Sequence, residues 1–334
     1  MKKTNNIFKN KRILVTGGTG FIGSEIVRQL LKYDPEVIRV LSNDEHMQYE
    51  MEKELPQGPD TKVRYLLGDI RDLERLKRAI EDINFIFHAA ALKHVRWCEY
   101  DPFEAIQTNI TGTQNVIKVA LGEKSVEKVI LISTDKAVNP NSTMGTTKLL
   151  AEKLMSWATF YRKVAKPIFT TVRFGNVINS RGSVIPLFKE QIIKKGPVTI
   201  TDKEMSRFLM SVKSAVNLVL KSATIAKGGE IFVLKMPIAK ITDIADVMIK
   251  ELAPKYNYDP NDININYIGS YPGEKMNESL MTEEEVSRTI EMDDMYVILP
   301  QQAKFKNIKS PKTFNKKILT KDEIKEIMKR EKIL

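Results

Sequence analysis

Cysteine is almost missing from the 334-residue chain: Cys98 is the single example, which excludes an internal disulfide and fits a reducing compartment. Histidine is scarce too, and His46, His88 and His94 are too scattered for a zinc site, so no metal is expected. No apolar run approaches the roughly 18 residues of a membrane span. No apolar core precedes Lys11, so a signal peptide is not expected either, and the protein reads as cytoplasmic. Internal repeats and low-complexity segments are lacking. Acidic residues are in deficit: 42 Asp plus Glu against 53 Lys plus Arg leave a net charge of +11. That balance favours anionic partners such as nucleotides. Much of the surplus lies in Lys-rich ends, over 1–12 and 304–332, without a basic helix face or a reader motif, so nucleic-acid binding is not expected. What is present, 42% apolar and 28% charged residues, suits a soluble globular protein long enough for two domains.

Arg12-Ile13-Leu14-Val15-Thr16 has the short, β-branched pattern of a buried strand. Gly17, Gly20 and Gly23 follow at G-x-x-G-x-x-G spacing and lead, with Thr19, Phe21 and Ile22, into an amphipathic helix to about Lys32. A strand, a glycine turn and a helix in this order make a dinucleotide site. The first glycine permits the tight turn, the second admits a diphosphate, the third lets helix and strand pack closely, and free helix amides face the anion. A second strand over 37–41 ends in Ser42-Asn43-Asp44-Glu45, where Asp44 is the candidate acid for the adenosine ribose. With Asn43 rather than arginine beside it, NAD is preferred to NADP. A third strand over 62–68 closes with Asp69-Ile70, which suits an adenine edge; Asp69 suits equally a cap on a helix over 71–80. The fourth strand, Phe85-Ile86-Phe87-His88, runs into Ala89-Ala90-Ala91, small enough for a cofactor to lie on the backbone or for a helix to pack tightly. Asn109 begins or interrupts a long helix to Ala120.

Val129-Ile130-Leu131-Ile132 is a fifth strand, and it delivers Ser133-Thr134-Asp135-Lys136-Ala137-Val138-Asn139-Pro140 to its carboxyl end, where open α/β sheets place ligands. Pro140 ends that element, and Asn141 or Ser142 caps a helix to about Lys163 that carries Met144 and Lys148. Asp135 can give a proton, Lys136 can take one if its pKa is lowered, and Lys148 adds a fixed positive charge. A sixth strand over 168–173 precedes Phe174-Gly175-Asn176-Val177. The expected fold is α/β: a Rossmann-like doubly wound parallel sheet over 1–177, with 211–235 returning to it. Past 177 the rhythm breaks into a loop over 179–186, strands at 198–200, 230–234 and 263–268, helices at 215–223 and 242–252, and a turn at 271–275. Residues 178–210 and 236–300 are assigned to a smaller, interleaved substrate-binding domain, and 301–334 to a basic extension. Met205 and Met210 are expected in the core.

On these residues the chain resembles the extended short-chain dehydrogenase/reductase family, and within it the bacterial UDP-N-acetylglucosamine 4,6-dehydratases of polysaccharide and glycan pathways. The likeness covers about residues 10–300 and rests on 16–23, 68–72, 88–95, 133–140, 173–177, 181–186 and 272–275; Ala-Ala-Leu-Lys-His-Val with Ser-Thr-Asp-Lys-Ala is its specific part. The resemblance implies a reaction on a UDP-sugar with bound NAD(P)⁺. Hydride leaves sugar C4, a base takes the C5 proton while an acid protonates the departing C6 hydroxyl, and hydride returns to C6. It implies Asp135 as the acid, Lys136 as the base, Thr134 beside the C4 oxygen and Lys148 on the nicotinamide ribose. Asn109 joins the cofactor set, and Lys93 lies near both sugar and cofactor. Asn176 faces the diphosphate, Val184 and Pro186 the uracil, Arg207 the diphosphate and Glu274 the nucleoside ribose; Thr201 completes the substrate set. Surface solvation is the alternative for Arg181 and Arg207, and a helix cap for Glu274. A homo-oligomer, dimer or larger, is implied through the helices after Asn109 and Met144.

Two departures stand out. Met144 occupies the place of a tyrosine that takes the C4 hydroxyl proton in many relatives, and a thioether cannot titrate. Asp135, through Thr134, is the substitute acceptor; a silenced enzyme is the alternative. Tyr271 stands where relatives have an arginine that clamps the diphosphate, which leaves more of that charge to Arg181 and Arg207. An epimerase or 5,6-dehydratase on the same scaffold, or a silent sugar-nucleotide binder, are the competing readings. Adjacent Asp135 and Lys136 argue for elimination, because C4 epimerisation needs no acid at C6.

Overall fold

The computed structural model describes residues 6–55, 58, 61–161, 166–301 and 317–334. The first residues of the Lys-rich start, the expected helix end near Lys163 and residues 302–316 of the basic extension lie outside the described residues. In chain order the first part comprises β1 (Arg12–Thr16), α1 (Phe21–Leu30), β2 (Val37–Ser42), α2 (Glu45–Glu54), β3 (Val63–Leu67), α3 (Leu73–Ile80) and β4 (Phe85–His88). It continues with α4 (Val95–Tyr100), α5 (Pro102–Ile106), α6 (Gly112–Gly122), β5 (Lys128–Thr134), α7 (Thr143–Tyr161) and β6 (Ile168–Phe174). Then come β7 (Asn176–Val177), α8 (Val184–Ile193), β8 (Val198–Ile200), β9 (Ser206–Met210), α9 (Val212–Ile225), β10 (Ile231–Leu234), β11 (Ile238–Lys240) and α10 (Ile241–Leu252). The last are β12 (Ile265–Tyr267), α11 (Glu283–Ser287), β13 (Thr289–Glu291), β14 (Met295–Ile298) and α12 (Lys321–Arg330).

Nine strands form one sheet in the order β3-β2-β1-β4-β5-β6-β10-β14-β13. All pairs from β3 to β10 are parallel, and β14 pairs antiparallel with both β10 and β13. The buried parallel strands are apolar along their length because helices cover both faces: Ile13, Leu14, Val15, Val129, Ile130 and Leu131 are all fully buried. Chain order reverses beside β1, which pairs with β2 on one side and β4 on the other, and this opens a crevice at the carboxyl ends. Asn109 lies in a π-helical turn over Gln107–Thr111 that interrupts the α5–α6 helix.

Several expectations change. Residues 289–298 were assigned to the smaller domain, yet β13 and β14 extend the large sheet. Sheet membership of short antiparallel strands is a tertiary contact that local rhythm does not encode. The loop expected over 179–186 ends early, since Val184 opens α8 and Pro186 sits in its first turn, where a missing N–H costs nothing. Asp69 does not cap the following helix; Asp72 does, accepting from the Arg75 amide at 3.0 Å, while Asp69 accepts from the Arg71 amide at 2.8 Å. The strand expected over 263–268 shortens to β12, which pairs parallel with β8. In the described part of the basic extension, α12 turns Ile324 and Met328 into the smaller core with Phe188, Ile192, Ile244 and Met248. Met205 and Met210 are buried.

Arg173, at 1% exposure one of the most buried side chains, ties the halves together. It donates to Glu152 of α7 (2.6 and 3.1 Å), to both oxygens of Glu285 of α11 (2.9 Å each) and to the Leu280 carbonyl (3.0 Å). Ser133 donates to the same Glu152 at 2.5 Å. Burial alone would raise the Glu285 pKa, but its bonds to Arg173 outweigh that and lower it. Removing one carboxylate leaves a buried, half-paired guanidinium, so Glu285→Ala is expected to cost about 3–5 kcal/mol, read as a fall in the urea midpoint.

Candidate active site

Thr134 ends β5 and caps the single turn Asp135–Ala137, its hydroxyl accepting from the Lys136 amide. Ser142 then accepts from the Gly145 amide at 3.1 Å and starts α7. These two caps place Thr134, Lys136, Met144 and Lys148 on one wall of a cavity of about 630 Å³. Gly17, Gly20, Phe21, Ile22, Gly23, Ala89, Ala91 and Lys93, the residues expected to meet a cofactor, also line it, as do Asn176 and Arg181. The glycine turn fits a dinucleotide. Gly17 has φ +62°, and a Cβ there would lie 2.7 Å from the Ala90 Cα; a Cβ on Gly23 would run into the Gly17 carbonyl. Gly20 precedes α1 without a side chain to cap it, leaving the first amides for an anion. Ala90 therefore serves packing, whereas Ala89 and Ala91 face the cleft.

The adenosine-side candidates lie at the ends of β2 and β3, outside the lining of this cavity. Asp44 caps α2 by accepting from the Met47 amide at 2.9 Å, Ser42 shares a 2.7 Å hydrogen bond with Thr19, and Asn43 donates to Asp69 at 3.3 Å. Ile70 is buried. Asn109 is also buried, bridging the Leu92 backbone and Thr147. It holds the Leu92–Lys93 loop from behind.

Electrostatics at the Thr134–Lys148 wall differ from expectation in two ways. Burial, the largest influence on Lys136, pushes its pKa down, but the carboxylates of Asp135 and Glu278 outweigh it and the net shift is upward. Lys148, expected to carry a fixed charge, is instead lowered to about 8 by burial, partly opposed by Glu152. Its ammonium donates to the Ile132 carbonyl at 2.7 Å. Asp135 is fully buried behind Thr134 and Lys136, accepting from the Thr134 hydroxyl and the Lys136 ammonium at 3.0 Å each. Its second oxygen accepts no hydrogen bond among the described residues and lies against Gly175, where a Cβ would approach it to 3.1 Å. Met144 packs with Val95, Cys98 and Ala105. Cys98 is buried, with its thiol pushed up to about 11 by burial and by Glu99 and Asp101. His88, held between Thr16 and Thr113, is pushed down to about 3 by burial and Lys148, so it is a neutral structural residue.

Of the substrate candidates, Val184, Pro186, Thr201, Arg207, Tyr271 and Glu274 lie on the smaller half, outside the cavity lining. Arg207 is 6% exposed, which removes the surface-solvation reading; it donates to the Ser206 and Met276 carbonyls and lies 3.5 Å from Glu274. Glu274 caps no helix and accepts from the Tyr271 amide. Arg181 is exposed and spans the cleft: Lys93 donates to its carbonyl at 2.9 Å, and its guanidinium reaches the Met47 sulfur. Two residues escaped sequence reasoning. Arg96 lies over the Tyr271 ring, 5.5 Å from its centroid, and so brings a guanidinium beside that turn. Glu278 faces Lys136 with its side chain 2% exposed. Three residues beyond the 272–275 turn, it carried no spacing that linked it to Lys136.

Lys148 predicts a pH effect. Its folded pKa is below the unfolded one, so its burial penalty is full below about pH 8 and disappears above about 10.5. The wild type is expected to gain roughly 3 kcal/mol relative to Lys148→Met as pH rises across that window, measured by urea unfolding of both proteins.

Known proteins bear on this site. A profile of the family described as "Polysaccharide biosynthesis protein" matches residues 13–300. The chain is 55% identical to a Methanocaldococcus jannaschii protein named "uncharacterized membrane protein", over 97% of both chains. Among its own described residues, no helix is long and apolar enough to cross a membrane. It is 41% identical to UDP-N-acetylglucosamine 4,6-dehydratase (inverting) of Campylobacter jejuni, over 88% of this chain and 84% of that one. It is 40% identical to UDP-glucose 4-epimerase of Rickettsia rickettsii, over 87% and 84%. The solved structure of Pen from Bacillus thuringiensis matches with a TM-score of 0.90 at 43% identity, covering 97% and 98%. The glycine-lined cleft, the Thr134–Lys136 wall and these matches agree: the chain belongs to the polysaccharide-biosynthesis family, in the dehydratase group of the extended short-chain dehydrogenase/reductases.

Proposed function

We propose that this chain is an NAD-dependent 4,6-dehydratase that converts UDP-N-acetylglucosamine to a UDP-4-keto-6-deoxy sugar for glycan or polysaccharide assembly. The observation that carries the reading is the adjacent Asp135–Lys136 pair, in contact at 3.0 Å, with Lys136 on the cavity wall that Lys148 also lines and Asp135 behind it. An elimination needs one acid and one base on the same sugar face, whereas epimerisation leaves this pair idle. The bound nicotinamide would take hydride from C4 and return it to C6.

The protons follow the chain's own hydrogen bonds. Thr134 passes the C4 hydroxyl proton to Asp135 along a 3.0 Å bond, so no tyrosine is needed at Met144. Asp135 then returns that proton through the Thr134 hydroxyl to the departing C6 hydroxyl, which leaves as water. Lys136 takes the proton from C5 and returns one to C5 as C6 is reduced. The sugar loses one water and the side chains end as they began. Lys148 holds the nicotinamide ribose, and Gly17, Gly20 and Gly23 cradle the diphosphate of the cofactor. Lys93 and Asn176 meet the substrate near the cavity, while Arg181, Arg207 and Glu274, with Arg96 beside Tyr271, surround its nucleotide. The uridine choice is supported by the two relatives named for UDP-sugars. A homo-oligomer is supported by exposed Trp97, Tyr100, Phe103, Trp157 and Tyr161 on α4, α5 and α7. A cytoplasmic setting completes the proposal.

The Rickettsia relative keeps an epimerase as the second reading. Mass spectrometry and proton NMR of the protein with UDP-N-acetylglucosamine and NAD⁺ separate them. A mass lower by one water with a new C6 methyl doublet is expected; unchanged mass with altered ring couplings means an epimerase. Water loss without a methyl group means a 5,6-ene product, and no change with any sugar nucleotide overturns the enzyme reading. Lys136→Met is expected to keep cofactor reduction by substrate while water loss falls about 100-fold or more.

A further inference from the structure

We propose that Glu278 is a positioning residue for Lys136 and takes up the proton that Lys136 must shed before it can act as a base. This rests on the dehydratase reading. An ammonium has three donors. That of Lys136 donates to Asp135 at 3.0 Å and to the Asn176 side chain at 3.1 Å, and it forms an ion pair with the Glu278 carboxylate at 3.3 Å. The other Glu278 oxygen accepts no hydrogen bond among the described residues, although the Lys275 ammonium lies 3.6 Å away. Glu278 is held in place from β9. Arg207 donates to the Met276 carbonyl at 3.0 Å, and Ser206 donates to the Asn277 side chain at 2.6 Å.

The charge arithmetic gives Glu278 its task. Asp135, Glu278 and Arg207 are the charged groups that act on Lys136, and the two carboxylates keep it an ammonium. An ammonium cannot remove the C5 proton. When Asp135 receives the C4 hydroxyl proton it becomes neutral and stops holding Lys136 charged. The Lys136 proton then moves across the 3.3 Å gap to Glu278, leaving an amine and a carboxylic acid. In a cavity from which the sugar has displaced water, this neutral pair is less costly than two buried charges. The amine takes the C5 proton and returns it, and Glu278 finally gives its proton back. No proton comes from solvent.

Glu278→Gln in the full-length protein tests this, because glutamine keeps the shape and cannot accept the proton. With UDP-N-acetylglucosamine and NAD⁺ at neutral pH, cofactor reduction is expected at the wild-type rate, with water loss at least about ten-fold slower. Water loss by the variant should recover as pH rises and solvent frees the amine, while the wild type stays flat over the same range. Equal water-loss rates and pH profiles overturn the proposal, as does a variant in which both steps fall together without recovery. A second measurement needs no turnover. The pH dependence of Lys136 labelling by a small acylating reagent, read by peptide mass spectrometry, should move to lower pH in the variant. If the wild type makes no dehydrated product, the dehydratase reading falls. The labelling then decides the pairing alone: an unmoved profile overturns it and a moved one supports it.

Discussion

The structure depends on one buried guanidinium. Arg173 leaves the end of β6 and finds its partners on α7 and α11, so the sheet, the helix that carries Lys148 and the segment following Glu278 share one anchor. A charge at 1% exposure is tolerated only with nearly complete pairing, and here two carboxylates and a carbonyl supply it. Glu152 also receives the Ser133 hydroxyl, immediately before Thr134. Position at the cavity wall is thereby fixed from beneath by Arg173, Glu152 and Glu285, none of which lines the cavity, and Ser133 links them to it.

Above that anchor the site uses short connections. Thr134, Asp135 and Lys136 are consecutive, and a one-turn cap turns two of them toward the cavity while the third is buried behind. Gly175 leaves the space in which the Asp135 carboxylate sits. Burial has opposite outcomes on neighbouring lysines. Lys148, with a backbone carbonyl as its hydrogen-bond acceptor, drops to about 8, whereas Lys136, between two carboxylates, is held up. A lysine's chemistry here follows from its nearest carboxylates more than from its depth.

Much of the first half was legible from residue order alone. Buried parallel strands are continuous apolar runs, so β1, β2, β4, β5 and β6 appear in the sequence close to where they lie in space. The glycine spacing marked the cleft that Gly17, Gly20 and Gly23 line, and the polar cluster after β5 marked the wall opposite. The second half was less legible. Its strands are short, pair across long separations and divide among three sheets, so Thr289–Glu291 and Met295–Ile298 could be recognised as part of the large sheet only once β10 was in place. Asp69 and Asp72 are equally good caps by type, and only the helix start at Leu73 chooses between them.

By itself the sequence determined the α/β class and the glycine turn after β1, because each follows from patterns within a few residues, and it set Thr134, Asp135, Lys136 and Lys148 between the end of one strand and the first turns of the next long helix. Tertiary structure alone decided that Glu278 faces Lys136 and that Arg96 covers Tyr271. It also decided that Arg207 is buried, and that Lys148 and Lys136 differ in proton affinity. The reason is physical: pKa values and ion pairs depend on distance through space and on lost solvent. Residues separated by more than a hundred positions along the chain acquire both only when it folds.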